Sequence, residues 1–154
     1  MKYEQINSLK EFLANAETAL LLQEEARSLV QYPEGSISPW NAKQLDEANR
    51  EVLDALSRNA NVYAIFTAPN GSGAYSLRYI GKTTRKLARQ RVRNHLIKKH
   101  ENTGAKLRNV VAHVQSGGQV KISWIKIEPE ALRNYLEEEL IEQAHRDGKA
   151  DWNR

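Results

Sequence analysis

Two short runs of β-branched and aromatic residues on either side of a turn constrain this chain most. Val62–Ala68 reads Val-Tyr-Ala-Ile-Phe-Thr-Ala, and residues 75–82 read Tyr-Ser-Leu-Arg-Tyr-Ile-Gly-Lys. Between them, Pro69-Asn70-Gly71-Ser72-Gly73 is built from residues that favour turns. Two such runs around a turn predict an antiparallel hairpin. Residues 120–127 alternate, with Val120, Ile122, Trp124 and Ile127 against Lys121, Ser123 and Lys126, and predict a third strand. Residues 84–100 predict a basic helix, and residues 106–115 a second helix stopped by Gly117-Gly118. Pro129 opens a last helix over about 130–145, which Gly148 ends. The order ββααβα predicts an α+β domain over residues 61–154, with a small antiparallel three-stranded sheet flanked by helices.

The first sixty residues have a different texture and predict an N-terminal helical appendage. Ser8 with Glu11 has the form of a capping box. Leu9, Phe12, Leu13, Ala16, Leu20 and Leu21 follow at helical spacing. Tyr32-Pro33-Glu34-Gly35-Ser36 breaks that helix. Ser38-Pro39 reads as a restart, a hydroxyl cap followed by proline at the first helical position. Trp40, Leu45, Ala48, Val52, Ala55 and Leu56 then give a second helix its apolar stripe.

At 154 residues the chain is long enough for a core without covalent staples. It has no cysteine, which excludes a disulfide framework and a thiolate metal site. No run approaches the roughly 20 apolar residues of a membrane span, and the N-terminus lacks the apolar core of a signal peptide. A cytoplasmic protein with no membrane partner is expected.

Charge separates the two parts. Residues 1–60 hold six Lys or Arg and ten Asp or Glu, while residues 61–154 hold 17 and nine. Between Arg78 and Arg108 lie eleven basic residues and one acid, Glu101. A positive field this concentrated favours a polyanion, and nucleic acid is the expected partner. Arg78, Lys82, Arg85, Lys86, Lys98, Lys99, Lys106 and Arg108 are the candidate phosphate contacts, which position a strand without reading its sequence.

Chemistry concentrates at the hairpin. Tyr63 and Tyr79 sit on its two strands, followed by a helix with Arg91 and, one turn on, His95. Arg91 has a planar fork that holds two phosphate oxygens and stays charged. Arg89 and Arg93 are its rivals, but residues two apart on a helix face away from each other. His95 has the chemistry to donate to a phosphate or relay a proton. Either phenol activates water only if its pKa of about 10 is lowered, and Arg78, Lys82 and Arg91 are expected to lower it. A run of three glutamates, 137 to 139, offers a carboxylate for a divalent cation. Leu136 and Leu140 mark the buried face of that helix, and Glu137 lies beside it. Spacing alone leaves Glu137 and Glu138 both open.

These residues resemble the GIY-YIG nuclease family over residues 61–154. Asn61-Val62-Tyr63 stands where the family has Gly-Ile-Tyr, and Tyr79-Ile80-Gly81 matches its second motif. The Arg91 and His95 pair, Glu137 four residues before Ile141, and Asn153 in a terminal Trp-Asn follow in the family's order. That ending is most similar to restriction-type and phage members. The resemblance implies a metal-dependent endonuclease acting on double-stranded DNA. Tyr63 or Tyr79 would activate water, with Tyr63 preferred. Arg91 and His95 would be catalytic, Glu137 would hold Mg²⁺ or Mn²⁺, and Gly81 and Asn153 would brace the site. A binding module with weak catalysis on the same fold, and an RNA-cleaving enzyme or toxin, are the alternatives. Clean double-strand breaks would require two copies in symmetric contact, for which the acidic helices are the candidate homodimer surface; the same helices are also candidates for an internal cover on the basic part.

Overall fold

A computed structural model describes residues 1–98 and 106–153. Among these it has six α-helices and one four-stranded antiparallel sheet. The helices are α1 (Ile6–Glu17), α2 (Ala42–Ala48), α3 (Arg50–Leu56), α4 (Ala88–Leu96), α5 (Leu107–Gln115) and α6 (Leu132–Arg146). The strands are β1 (Ser28–Leu29), β2 (Val62–Ala68), β3 (Ser76–Lys82) and β4 (Gln119–Ile125), in spatial order β1-β4-β2-β3. None of the described helices is long and apolar enough to cross a membrane.

β2 explains the architecture. All seven of its residues are buried, because helices cover both faces of the sheet. Tyr63 and Ile65 pack with Leu45, Leu53, Leu56, Val92, Leu96 and Val110, from α2 to α5. Val62, Ala64 and Phe66 pack with Leu13, Ala16, Leu136 and Leu140, from α1 and α6. Each fully buried leucine of this kind stabilises by roughly 1.5–3 kcal/mol relative to exposure.

The hairpin pairs Tyr63 with Gly81 and Ile65 with Tyr79. Residues directly opposite in an antiparallel pair share a face, so both tyrosines and Gly81 lie on the α4 side. The register then slips: Phe66 pairs with Leu77, leaving Arg78 as the extra residue of a bulge. The slip puts Leu77 on the same face as Ile80, three residues on, against α6.

Several expectations need correction. The sheet has four strands, not three. Ser28 pairs with Ile122 and Leu29 with Lys121, and Val30 N–H donates to Val120 O at 2.9 Å. β2 occupies one edge of β4, and the chain returning from α1 covers the other. The first sixty residues therefore add a strand to the sheet and side chains to both core clusters. Ser8 and Glu11 lie inside α1, which begins at Ile6 without a side-chain cap. Ser38 and Pro39 form a turn closed by Ile37 and Trp40. The cap of α2 is Asn41, whose side chain accepts from Gln44 N–H at 3.1 Å. The expected second helix is split at buried Asn49, whose amide accepts from Gln31 N–H at 2.7 Å and donates to Gln31 O at 2.9 Å. The basic helix starts as a 3₁₀ turn at Arg85–Leu87 and runs as α4 only to Leu96.

Candidate active site at the tyrosine hairpin

Tyr63, Tyr79 and His95 form a cluster. The Tyr63–His95, Tyr79–His95 and Tyr63–Tyr79 ring centroids are 5.6, 4.9 and 6.3 Å apart. Tyr63 and His95 are buried and Tyr79 is half-buried. Gly81 makes room for this: a Cβ there would come within 2.5 Å of the Tyr63 ring. That is well inside van der Waals contact, so the ring fits against the opposite strand only because Gly81 has no side chain.

The hydrogen bonds of His95 determine where its proton sits. Lys106 N–H donates to Nδ1 at 3.0 Å, and Nε2 lies 2.7 Å from the Tyr63 hydroxyl. A backbone N–H can only donate, so Nδ1 carries no proton and the neutral ring is protonated at Nε2. His95 therefore donates to the Tyr63 oxygen. The imidazole stays neutral because burial pushes its pKa down to about 3, with Arg91 and Lys106 adding to the effect. Both nitrogens are occupied, which leaves neither for a phosphate.

The phenols depart from expectation in the opposite direction. Burial raises the Tyr63 pKa well above its usual value, and the nearby Tyr79 and Glu137 add to this. Tyr79 is raised by burial and then by Glu137. Arg91 lowers both, but desolvation of the phenolate outweighs it. Arg78 and Lys82 were expected to help and instead face carboxylates. Arg78 Nε lies 3.0 Å from Asp151 Oδ1, an ion pair without hydrogen-bond alignment. Lys82 Nζ lies 3.6 Å from Glu137 Oε1.

The three arginines of α4 are sorted by their partners. Arg93 makes a bidentate pair with Asp46 on α2, at 2.7 and 2.9 Å. Arg89 reaches Asp54 on α3 at 3.1 Å. Arg91 is exposed, makes no ion pair among the described residues, and acts on Tyr63, Tyr79, His95 and Glu137. The acidic N-terminal helices thus dock on the chain's own basic helix.

Glu137 comes from α6, where Leu136 and Leu140 are buried and Glu138 is exposed. Burial raises the Glu137 pKa, Lys82 and Arg91 oppose that, and Glu138 adds to it. Among the described residues no group of three or more His, Asp or Glu could enclose a metal. Asn153 lies on the outer edge of β3: its amide accepts from Ile80 N–H at 2.7 Å and donates to Ile80 O at 2.9 Å. It touches backbone one residue from Tyr79 and one from Gly81.

The remaining candidate phosphate contacts divide. Arg85 is paired with Glu130 at 3.7 Å. Lys86, Lys98 and Arg108 are exposed and unpaired among the described residues, and Lys106 Nζ lies 5.8 Å from the Tyr79 ring centroid. Lys99 lies outside the described residues. A cavity of about 800 Å³ lies elsewhere: Phe66, Leu77 and Leu140 line it, with charges of both signs, and none of Tyr63, Tyr79, Arg91, His95 or Glu137 does. Within the tyrosine cluster Tyr63 and His95 are buried and Tyr79 is half-buried, with exposed Arg91 beside them.

Sequence reasoning missed the residues that hold the site from a distance. Tyr32 O–H donates to Leu96 O at 2.9 Å and Trp40 Nε1–H to Ile97 O at 2.7 Å, capping the end of α4. Asn61 accepts from Ile127 N–H at 2.7 Å and donates to Ile127 O at 2.9 Å. No local pattern marks these partners. Compared with protein-family models, characterised proteins and solved structures, the chain matches none of them.

Proposed function

We propose that this chain is a metal-dependent endonuclease that hydrolyses phosphodiester bonds in DNA. The observation that carries the reading is the convergence of two phenols, a histidine of fixed tautomer, an arginine that makes no ion pair among the described residues and a half-buried carboxylate. The resemblance to GIY-YIG nucleases belongs to the same reading. The exposed Lys86, Lys98 and Arg108 supply a sequence-independent track for the phosphate backbone.

In this reading Tyr63 is the general base. His95 Nε2–H donates to its oxygen, which favours the phenolate and directs the phenol's own proton elsewhere. Once the phenol has given its own proton to solvent hydroxide, which its raised pKa confines to alkaline pH, the ionised oxygen takes a proton from the attacking water. Arg91, which makes no ion pair among the described residues, clamps non-bridging phosphate oxygens as charge develops. Glu137 would hold the cation. A single half-buried carboxylate suits Mg²⁺ or Mn²⁺, hard ions that accept oxygen ligands and retain most of their waters. An ion held there would supply Lewis-acid stabilisation of the charge that develops on the phosphate and the leaving oxygen. Lys82, now beside Glu137, would be released towards the phosphate.

Supercoiled plasmid incubated with the protein and Mg²⁺, with and without chelator, tests this. Nicked and linear products are expected only with the metal, and faster at alkaline than at neutral pH, because the phenol pKa is raised. Plasmid that is bound but intact at both pH values would leave a nucleic-acid-binding module. Cleavage confined to an RNA oligonucleotide would move the activity to RNA.

A further inference from the structure

We propose that Arg58, Arg85 and Lys86 form a second phosphate seat, which holds a backbone phosphate of the nucleic acid away from the bond being cut. The inference rests on the nucleic-acid reading above and extends it to residue 58, from the acidic part of the chain. A surface cavity of about 300 Å³ is lined by these three cations and one carboxylate, Glu130. That carboxylate is already engaged: Oε1 accepts from Arg85 N–H at 2.6 Å and Oε2 lies 3.7 Å from Arg85 Nε. Arg133 approaches the same residue, donating to Glu130 O at 3.0 Å. Arg58 and Lys86 are exposed and make no ion pair among the described residues. The cavity lining therefore carries a net positive charge, with two cationic side chains that no carboxylate engages among the described residues.

Its place favours a phosphate over an acidic peptide. The Arg85–Glu130 and Lys82–Glu137 pairs join the same two segments, the end of the hairpin and the start of α6. Glu130 lies in the turn just before α6 and Glu137 within α6. The cavity thus sits on the same two segments that carry Lys82 and Glu137, so a strand held at those residues has further phosphates to offer it. Arg85 and Arg58 add planar forks suited to phosphate oxygens.

Arg58 also offers a clean test. α3 ends at Leu56, and Arg58 follows in the left-handed region at φ 64°, with Asn59 N–H donating to Leu56 O at 2.9 Å. Glycine is the usual residue at such a position. Arg58→Gly thus removes the charge while supplying the residue that the backbone favours. If Arg58 served only to end the helix, this variant would fold at least as well and bind DNA unchanged.

The full-length protein, Arg58→Gly, Arg58→Lys and Lys86→Ala are titrated against a fluorescent DNA duplex in chelator at several salt concentrations. Arg58→Gly is expected to melt at or above the parent temperature. For Arg58→Gly and Lys86→Ala, the slope of log affinity against log salt should be shallower by about 0.9, so that a roughly four-fold rise in salt costs them about 3.5-fold less affinity than the parent. Arg58→Lys should restore the parent slope. A parent-like slope in Arg58→Gly, or a changed slope that lysine does not restore, overturns the seat. So does an Arg58→Gly protein that binds polyglutamate less tightly but DNA as before, which would give the cavity to acidic proteins. A parent that binds DNA but leaves it uncut with Mg²⁺ removes the nuclease reading alone, because binding is measured in chelator. A parent that cuts while Arg58→Gly keeps its slope removes the seat alone.

Discussion

The proton on His95 is placed by the backbone N–H of Lys106, and that placement reaches Tyr63. It also has a cost in acid. The folded pKa, about 3, lies below the ordinary value of about 6.5, so the unfolded chain takes up the proton first. The contribution of neutral His95 to stability is full above about pH 6.5 and is lost as pH falls towards about 3. Melting temperature should fall through that window, and His95→Gln, which cannot take up the proton, should flatten the fall. Superimposable acid profiles would show that His95 is not held neutral. Arg91 and Glu137 carry the other predictions at this scale. Arg91→Ala should lower turnover by about two orders of magnitude or more. Arg89→Ala should leave turnover near the parent value, since Arg89 already faces Asp54. Equal losses would remove the distinction. Glu137→Gln deletes a charge that burial disfavours, so it should abolish Mg²⁺-dependent cleavage with no loss of thermal stability. A variant that cuts normally, while Glu138→Gln does not, would shift the metal ligand by one residue.

Elements here are tied together by asparagines at their ends. Asn49, Asn61 and Asn153 each use both ends of one amide on the backbone of one distant residue: Gln31, Ile127 and Ile80. Each adds two hydrogen bonds that the sheet ladder does not supply. At β3 this matters most, because the strand lies at the edge of the sheet. Ala150 N–H donates to Leu77 O at 3.1 Å and Trp152 N–H to Arg78 O at 2.9 Å. The tail thereby covers an edge that would otherwise be free to pair. Asn153→Ala strips Ile80 of two bonds and should cost about 1–3 kcal/mol in urea unfolding, at about 1 kcal/mol net per bond. Because Ile80 lies between Tyr79 and Gly81, activity should fall further than stability explains. Parent-like unfolding midpoints would mean that water replaces the amide at no cost.

At the scale of the molecule, the first sixty residues are part of the fold's support. They supply β1, part of both core clusters, the caps on α4 and the carboxylates that engage Arg89 and Arg93. Five buried leucines (Leu13, Leu20, Leu45, Leu53 and Leu56) come from this segment. At roughly 2 kcal/mol or more for each cavity left behind, their sum is comparable to the whole stability of a domain, about 5–15 kcal/mol. A fragment beginning at residue 61 should therefore show no cooperative melt by circular dichroism. A cooperative melt near the parent temperature would show that residues 61–154 fold without them.

What the sequence determined by itself is what consecutive residues carry. The alternation in β4, the turn after Ala68 and the Gly117-Gly118 pair between helix and strand announced the hairpin, the third strand and the order of elements from residue 61 onward. Glu137 beside the buried Leu136 and Leu140 was legible for the same reason, since helical spacing is local. Tertiary structure alone decided which partner each polar side chain meets. Asn49 splits a helix because Gln31, eighteen positions away, binds its amide. β1 is two residues long, too short for a periodicity, and exists because β4 has an open edge. Arg89, Arg91 and Arg93 read alike until Asp54 and Asp46 engage two of them. The phenols' pKa shifts were misread in sign because charge can be counted along a sequence, whereas burial, which here outweighs it, is a property of the packed whole.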